Sequence, residues 1–317
     1  MKVVVAGLLG EGFEESLREE FPGVEFAFVE SEEDQAREIK DADAYMGMPS
    51  RDVFVAADHL RWLHCPGTGI DKYTEIPELV DSDVVLTNAR GPHTAPMADH
   101  VMAFCLAFAH KTHNMLFDQQ ARVWDAGKYH GEQVEMEGAT MGILALGGIG
   151  QAIARRANGF GMDVYAVDMK PFPPPAGVKE VWGLDRLDDL LRMSDWFVVT
   201  APYTPDSKGM IGERELGLMK PTSHLIIISR GGIVDEDALF NTLENGRIAG
   251  AGIDAFEVEP LTEDSAWWGL ENVIISPHAS ALTVQMVNGR REIFKENMRR
   301  FLGNEPFLYV CDKTAGF

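Results

Sequence analysis

The sequence predicts an α/β protein built on two doubly wound parallel sheets. Three observations carry that expectation. Short apolar segments alternate with helical ones almost throughout the chain. A length of 317 residues is enough for two cores. A second series of apolar strands starts afresh near Met141, after a long helical stretch.

Taken in order, Val3–Ala6, Ala44–Met46, Trp62–Cys65 and Val84–Thr87 read as buried strands, because they are short, apolar and rich in branched or bulky residues. Amphipathic stretches at Glu14–Glu20 and Asp34–Lys40 separate the early ones. From Thr94 to about Gln120 the chain reads as one long helix. Six further strands follow at Met141–Leu146, Val164–Asp168, Phe197–Thr200, Leu225–Ser229, Gly250–Asp254 and Val273–Ser276, and a final helix runs from Thr283 to Leu302. Lys170-Pro171-Phe172-Pro173-Pro174-Pro175 reads as a stiff surface loop. The last helix is expected to pack back on the first domain. That divides the chain into residues 1–98 with 288–317, and residues 99–287.

Composition narrows the function classes. Twenty-eight basic against 50 acidic side chains leave a net charge of −22, which excludes the basic face that nucleic acid demands. Cys65, Cys105 and Cys311 have no metal-ligand spacing and read as reduced thiols of a cytoplasmic protein; no metal is expected. Met1-Lys2 runs straight into a strand, with no leader pattern. The longest apolar stretch, Val101 to Ala109, is too short to span a bilayer and reads as a buried helix.

Two constellations carry chemistry. The strand ending at Leu146 runs into Gly147-Gly148-Ile149-Gly150 and then into a good helix. That context makes a strand-to-helix turn whose backbone N–H groups can face a pyrophosphate. Ala145 stands where the first glycine of the fingerprint is usual. Asp168 ends the next strand, 18 residues beyond Gly150, where a carboxylate accepts from ribose hydroxyls and repels a 2′-phosphate. NAD, as NADH, is therefore expected over NADP. The other glycine cluster, Gly7-Leu8-Leu9-Gly10-Glu11-Gly12, has the wrong spacing, and Glu11 repels phosphate.

The second constellation is Arg230, Glu259 and His278, spread through the C-terminal third. A guanidinium, a carboxylate and an imidazole suit a site that binds an anionic 2-oxo acid and moves one proton. Arg230 can hold and polarise the substrate with its planar fork of donors. His278 can give or take the proton. Glu259 can fix the imidazole tautomer and favour its charged form.

At these residues the chain resembles the D-2-hydroxyacid dehydrogenase family, the D-isomer-specific NAD-dependent group that includes glyoxylate/hydroxypyruvate reductases. The resemblance covers nearly the whole chain. It runs through His64-Cys65-Pro66-Gly67-Thr68-Gly69-Ile70-Asp71, Thr87-Asn88-Ala89-Arg90-Gly91 and Pro96-Met97-Ala98-Asp99-His100. It continues through Pro202-Tyr203-Thr204-Pro205-Asp206-Ser207 and Arg230 to Leu239. Asp99 stands where the family usually has Glu.

The resemblance implies a flavodoxin-like substrate domain, a Rossmann NAD-binding domain and a substrate cleft between them. It implies cofactor contacts at Thr200, Pro202, Ser207, Ile228 and Asp254 beside the glycine turn. Thr68 and Gly69 are implied as a second clamp on the substrate carboxylate. It further implies a homodimer through the nucleotide domain, with 118–133 as an arm and Trp124 able to reach a partner. The expected activity is 2-oxo acid reductase, interconverting a 2-oxo acid and an (R)-2-hydroxy acid. The alternatives are an NAD-sensing scaffold of the corepressor type, or phosphite or phosphoglycerate dehydrogenase. Formate oxidation is disfavoured by Glu259, where the formate enzymes have Gln.

Overall fold

The computed structural model describes residues 1–7 and 10–316. The chain divides into two compact units, Met1–His93 with Leu282–Phe317, and Thr94–Ala281.

The first unit contains β1 (Lys2–Ala6), α1 (Phe13–Glu20), β2 (Glu25–Val29), α2 (Glu32–Glu38), β3 (Ala44–Met46), α3 (Arg51–Val55) and β4 (Trp62–Cys65). Two single-turn helices, α4 (Asp71–Thr74) and α5 (Pro77–Val80), precede β5 (Val85–Asn88). All pairings are parallel, in the order β2-β1-β3-β4-β5, which is the flavodoxin-like winding. The central strands are buried on both faces, as their continuous apolar runs require. Beneath the sheet, Thr87 accepts from Trp62 Nε1 at 2.8 Å and lies 2.8 Å from His64 Nδ1. Its hydroxyl proton is therefore free to go to His64, which burial keeps neutral with a pKa lowered to about 3.

The second unit contains α6 (Thr94–Ala109), α7 (Thr112–Ala121), β6 (Thr140–Leu144), α8 (Gly148–Gly159), β7 (Asp163–Val167), β8 (Glu180–Trp182) and α9 (Leu187–Met193). It continues with β9 (Trp196–Val199), α10 (Glu213–Leu216), β10 (His224–Ile227), α11 (Glu236–Glu244), β11 (Gly250–Ile253) and β12 (Val273–Ile275). Its seven parallel strands lie in the order β12-β11-β10-β9-β6-β7-β8, and the order of winding reverses between β6 and β9. One apolar layer, with Val101, Phe104 and Phe108 of α6 and Ile153 of α8, covers one face; Leu190, Leu191 and Leu239 of α9 and α11 belong to the other.

The last helix, α12 (Val284–Gly303), belongs to the first unit. Phe294 and Met298 are buried with Val3, Val5 and Trp62, and Phe294 stacks on Trp62 at 5.5 Å. The division falls a few residues before each position read from the sequence. The reason is that α6 packs as a whole along α8 and α12 as a whole in the first unit.

Two departures from the expected elements have physical causes. The long helix is broken: Lys111 adopts a left-handed φ of 55°, and His113 Nδ1 lies 2.8 Å from the Ala107 carbonyl, closing α6 before α7 begins. Within α6, Asp99 pairs with Arg156 of α8 at 2.6 Å. β2 and β8 were not anticipated. Each is a sheet edge with one neighbour and a half-buried pattern, so neither shows the continuous apolar run of a central strand. Of the Gly7–Gly12 cluster, Leu8 and Leu9 lie outside the described residues. No helix among the described residues is long and apolar enough to cross a membrane.

Candidate active site

Every candidate cofactor or catalytic residue of the second unit follows the carboxyl end of a parallel strand or lies in the loop beyond it. The glycine turn follows β6, Asp168 follows β7, Thr200 follows β9, Arg230 follows β10, Asp254 follows β11 and His278 follows β12. This edge is where open α/β sheets bind ligands, next to the point where strand order reverses.

The turn after β6 is built by its small residues. Ala145 has a φ of +72°, the conformation for which glycine is the usual choice. A Cβ on Gly150 would lie 2.6 Å from the Ala145 carbonyl oxygen, so only glycine lets α8 approach β6 this closely. Nothing lies within 4 Å of a Cβ built on Gly147, and α8, 12 residues long, has no side-chain cap at its N-terminus. Uncapped N–H groups below open space fit a pyrophosphate. Asp168 Oδ2 accepts from Leu146 N at 2.9 Å and Oδ1 from Lys170 N at 3.1 Å, so the acid also braces the turn. Its oxygens keep further lone pairs for hydroxyl donors.

Thr200 donates to the Leu144 and Ala145 carbonyls. Ser207 is buried and donates to the Pro202 carbonyl at 2.8 Å while accepting from Thr204 N at 2.8 Å. Ile228 is a core residue. Ser207 and Ile228 thus spend their side chains on the protein, and contact with a ligand from either falls to the main chain.

The acid–imidazole pair is formed. His278 Nδ1 lies 2.8 Å from Glu259 Oε2, and Glu259 Oε1 accepts from Phe256 N at 2.9 Å. A carboxylate only accepts, so Nδ1 carries the hydrogen and Nε2 is left as the reacting nitrogen. His278 itself has a left-handed φ of 52°. Its turn is held by Asp254, whose carbonyl accepts from His278 N at 2.9 Å. The Asp254 carboxylate, 1% exposed, accepts from Ala279 N at 2.8 Å, from Ser280 N at 3.1 Å and from the Ser276 hydroxyl. Ser276 in turn lies 2.9 Å from His100 Nε2, extending the network back to α6. Burial lowers the pKa of His100, and the charge of Asp254 opposes that shift. Neutral, with Nε2–H toward Ser276, His100 completes a donor chain ending on Asp254. Sequence reading missed this use of His100 and Ser276, because no spacing rule links residues 176 positions apart.

Arg230 stands at the end of β10 with its Nη1 donating to the Ser229 carbonyl at 2.9 Å. Beside it, a Cβ on Gly231 would lie 2.0 Å from both Glu257 N and the Phe256 carbonyl carbon. Gly231 therefore lets the Arg230 turn lie flat on the chain that presents Glu259. Thr68 and Gly69 belong to the loop after β4 in the first unit, where the Thr68 carbonyl accepts from Asn88 Nδ2 at 2.7 Å. Of the paired tryptophans, Trp267 packs edge-on against Phe240 and Phe256, and Trp268 is 55% exposed.

A Rossmann sheet with an open glycine turn and an acid-held imidazole on one edge defines a dinucleotide-linked oxidoreductase. The model of the NAD-binding domain of D-isomer-specific 2-hydroxyacid dehydrogenases matches residues 102–280. The chain belongs to that family. Glyoxylate reductase of Thermococcus gammatolerans is 34% identical, over 96% of this chain and 93% of its own. D-3-phosphoglycerate dehydrogenase of Methanocaldococcus jannaschii is 31% identical over 90% of this chain, which spans only 55% of that relative. Among solved structures, the NADPH-dependent glyoxylate/hydroxypyruvate reductase of Sinorhizobium meliloti, in complex with NADP and sulfate, superposes with a TM-score of 0.87. It is 26% identical, covering 100% of this chain and 99% of its own.

Proposed function

We propose that the protein reduces a small 2-oxo acid to its (R)-2-hydroxy acid, with His278 as acid, Glu259 as its support and Arg230 as the substrate-binding cation. The observation that carries this reading is the 2.8 Å contact between His278 Nδ1 and an anchored Glu259, which leaves Nε2 to deliver the proton. Arg230 holds the anionic substrate and draws electron density from its carbonyl. In the oxidative direction His278 Nε2 takes the hydroxyl proton, and the resulting imidazolium is stabilised by Glu259. The nicotinamide cofactor, when bound, supplies the hydride.

The open turn at Gly147–Ile149 is the pyrophosphate seat in this reading, and Asp168 favours NADH over NADPH. The Sinorhizobium neighbour is NADPH-dependent, which makes the cofactor comparison decisive. Purified protein is mixed with NADH or NADPH and with glyoxylate, hydroxypyruvate, phenylpyruvate or a phosphorylated 2-oxo acid, and loss of reduced cofactor is followed. Turnover that requires Arg230 and His278 supports the reading; no turnover with any 2-oxo acid refutes it. Replacing Asp168 with Ser moves the kcat/KM ratio toward NADPH by about tenfold, the worth of roughly 1.4 kcal/mol.

The second unit also exposes Leu116, Phe117, Val123, Trp124 and Val134 along 116–134, with Trp124 fully in solvent. Five exposed large apolar side chains in one segment support a homodimer through it. Sedimentation as a clean monomer refutes it.

A further inference from the structure

The loop that carries Glu259 is held by more than Glu259. Two successive backbone N–H groups, those of Phe256 and Glu257, each donate to a different carboxylate. Phe256 N goes to Glu259 Oε1 at 2.9 Å, and Glu257 N goes to Glu236 Oε1. Gly231 closes the same stretch from another side, where any Cβ would strike it. Glu236 is the first residue of α11, whose cap is Asp235, bound to Ala238 N at 2.9 Å. Glu236 is half-buried and lines a small pocket with Arg230, Gly231, Ala255, Phe256 and Trp267.

We propose that Glu236 is a positioning residue for the imidazole: it grips the loop that presents Glu259, and its negative charge, next to Glu259, biases His278 toward the protonated form. The proposal rests on the reading of His278 as the acid. The charged groups around Glu236 are Asp235 and Asp237 on its own helix, Glu257 and Glu259 on the facing loop, and Arg230 beyond β10. Burial raises the pKa of Glu236, the hydrogen bond from Glu257 N opposes that rise, and the charges of Glu257, Glu259 and Asp237 add to it, which supports a carboxylate sharing one local field with Glu259. Hydrogen bonding and charge act in the same place, so variants can separate them.

In Glu236→Gln the amide oxygen still accepts from Glu257 N, and the charge is gone. The pH limb at which reduction is lost then moves to lower pH by about half a unit, the size Coulomb's law gives for one nearby charge in a hydrated site. Glu236→Asp keeps the charge on a shorter stem, so its limb stays at the wild-type pH while plateau kcat falls. Glu236→Leu loses both, and its plateau falls about tenfold or more. Asp237→Asn, an exposed neighbour, moves the limb less than Glu236→Gln.

The measurement is kcat and kcat/KM for 2-oxo acid reduction against pH, with thermal melting read on each variant. A limb unmoved in folded Glu236→Gln overturns the proposal. Should the Gln variant fail to fold, the Asp variant decides: a limb at the wild-type pH with a lower plateau supports the proposal, and a lowered limb overturns it. An inactive wild type refutes the functional reading. An active wild type that is silenced by His278→Gln, with an unmoved Glu236→Gln limb, refutes this inference alone.

Discussion

Acid should destabilise the second unit through a histidine that has no part in the chemistry. His224 begins β10 and is 7% exposed, stacked on Trp196 at 4.5 Å and tilted against Phe108 at 4.8 Å. Neither ring nitrogen has a hydrogen-bond partner. Burial, with the nearby Lys111 and His113, lowers its pKa to about 4 from the 6.5 usual for an imidazole. The unfolded chain therefore takes up a proton that the folded chain refuses. Stability is fully present above pH 6.5 and is lost as pH falls toward 4. At about 1.36 kcal/mol per unit, the whole shift amounts to roughly 3 kcal/mol, of which about 2 kcal/mol falls between pH 7 and pH 5. His64, lowered to about 3 by burial, acts in the same direction in the first unit, so the wild-type slope alone does not isolate His224. His224→Phe does. Whatever the phenyl ring does to baseline stability, the urea-derived loss between pH 7 and pH 5 should shrink by about 2 kcal/mol relative to wild type. An identical loss in both proteins would show that the imidazole is not held neutral, and the burial argument would fail.

Three further expectations concern the site. Gly231→Ala places a methyl 2.0 Å from main-chain atoms, so it should displace the Glu259 loop, cutting kcat about a hundredfold and stability by about 1–3 kcal/mol; normal steady-state kinetics would contradict the packing. Ala145→Gly relieves a left-handed alanine at φ +72° and should raise the unfolding free energy by up to about 1 kcal/mol, read by urea titration. Ser276→Ala cuts the link between His100 and Asp254, leaves polar groups short of a partner and should cost about 1–3 kcal/mol. It should also lower kcat by about tenfold as the His278 turn loosens, and unaltered melting and kcat together would refute a role for the network.

Central elements were legible in the sequence because burial on both faces leaves a continuous apolar run, and β1, β3, β6 and β9 carry one. Edge strands β2 and β8 were not, since one solvated face dilutes that signal. The break at Lys111 was equally hidden: nothing local forbids helix there, and the stop comes from His113 folding back on Ala107.

Residue types and their order alone determined the α/β class, the glycine turn with its acid, and the presence of a guanidinium, a carboxylate and an imidazole in the last third. Periodicity and chemical type are local properties that the chain carries unfolded. Tertiary structure alone decided which nitrogen of His278 faces Glu259, and that Asp254 is spent on holding the His278 turn. It also decided that His100, Ser276 and Glu236 stand behind the site. Those facts depend on parallel strands bringing their carboxyl ends to one edge, so that side chains far apart in sequence come within hydrogen-bond reach of one another.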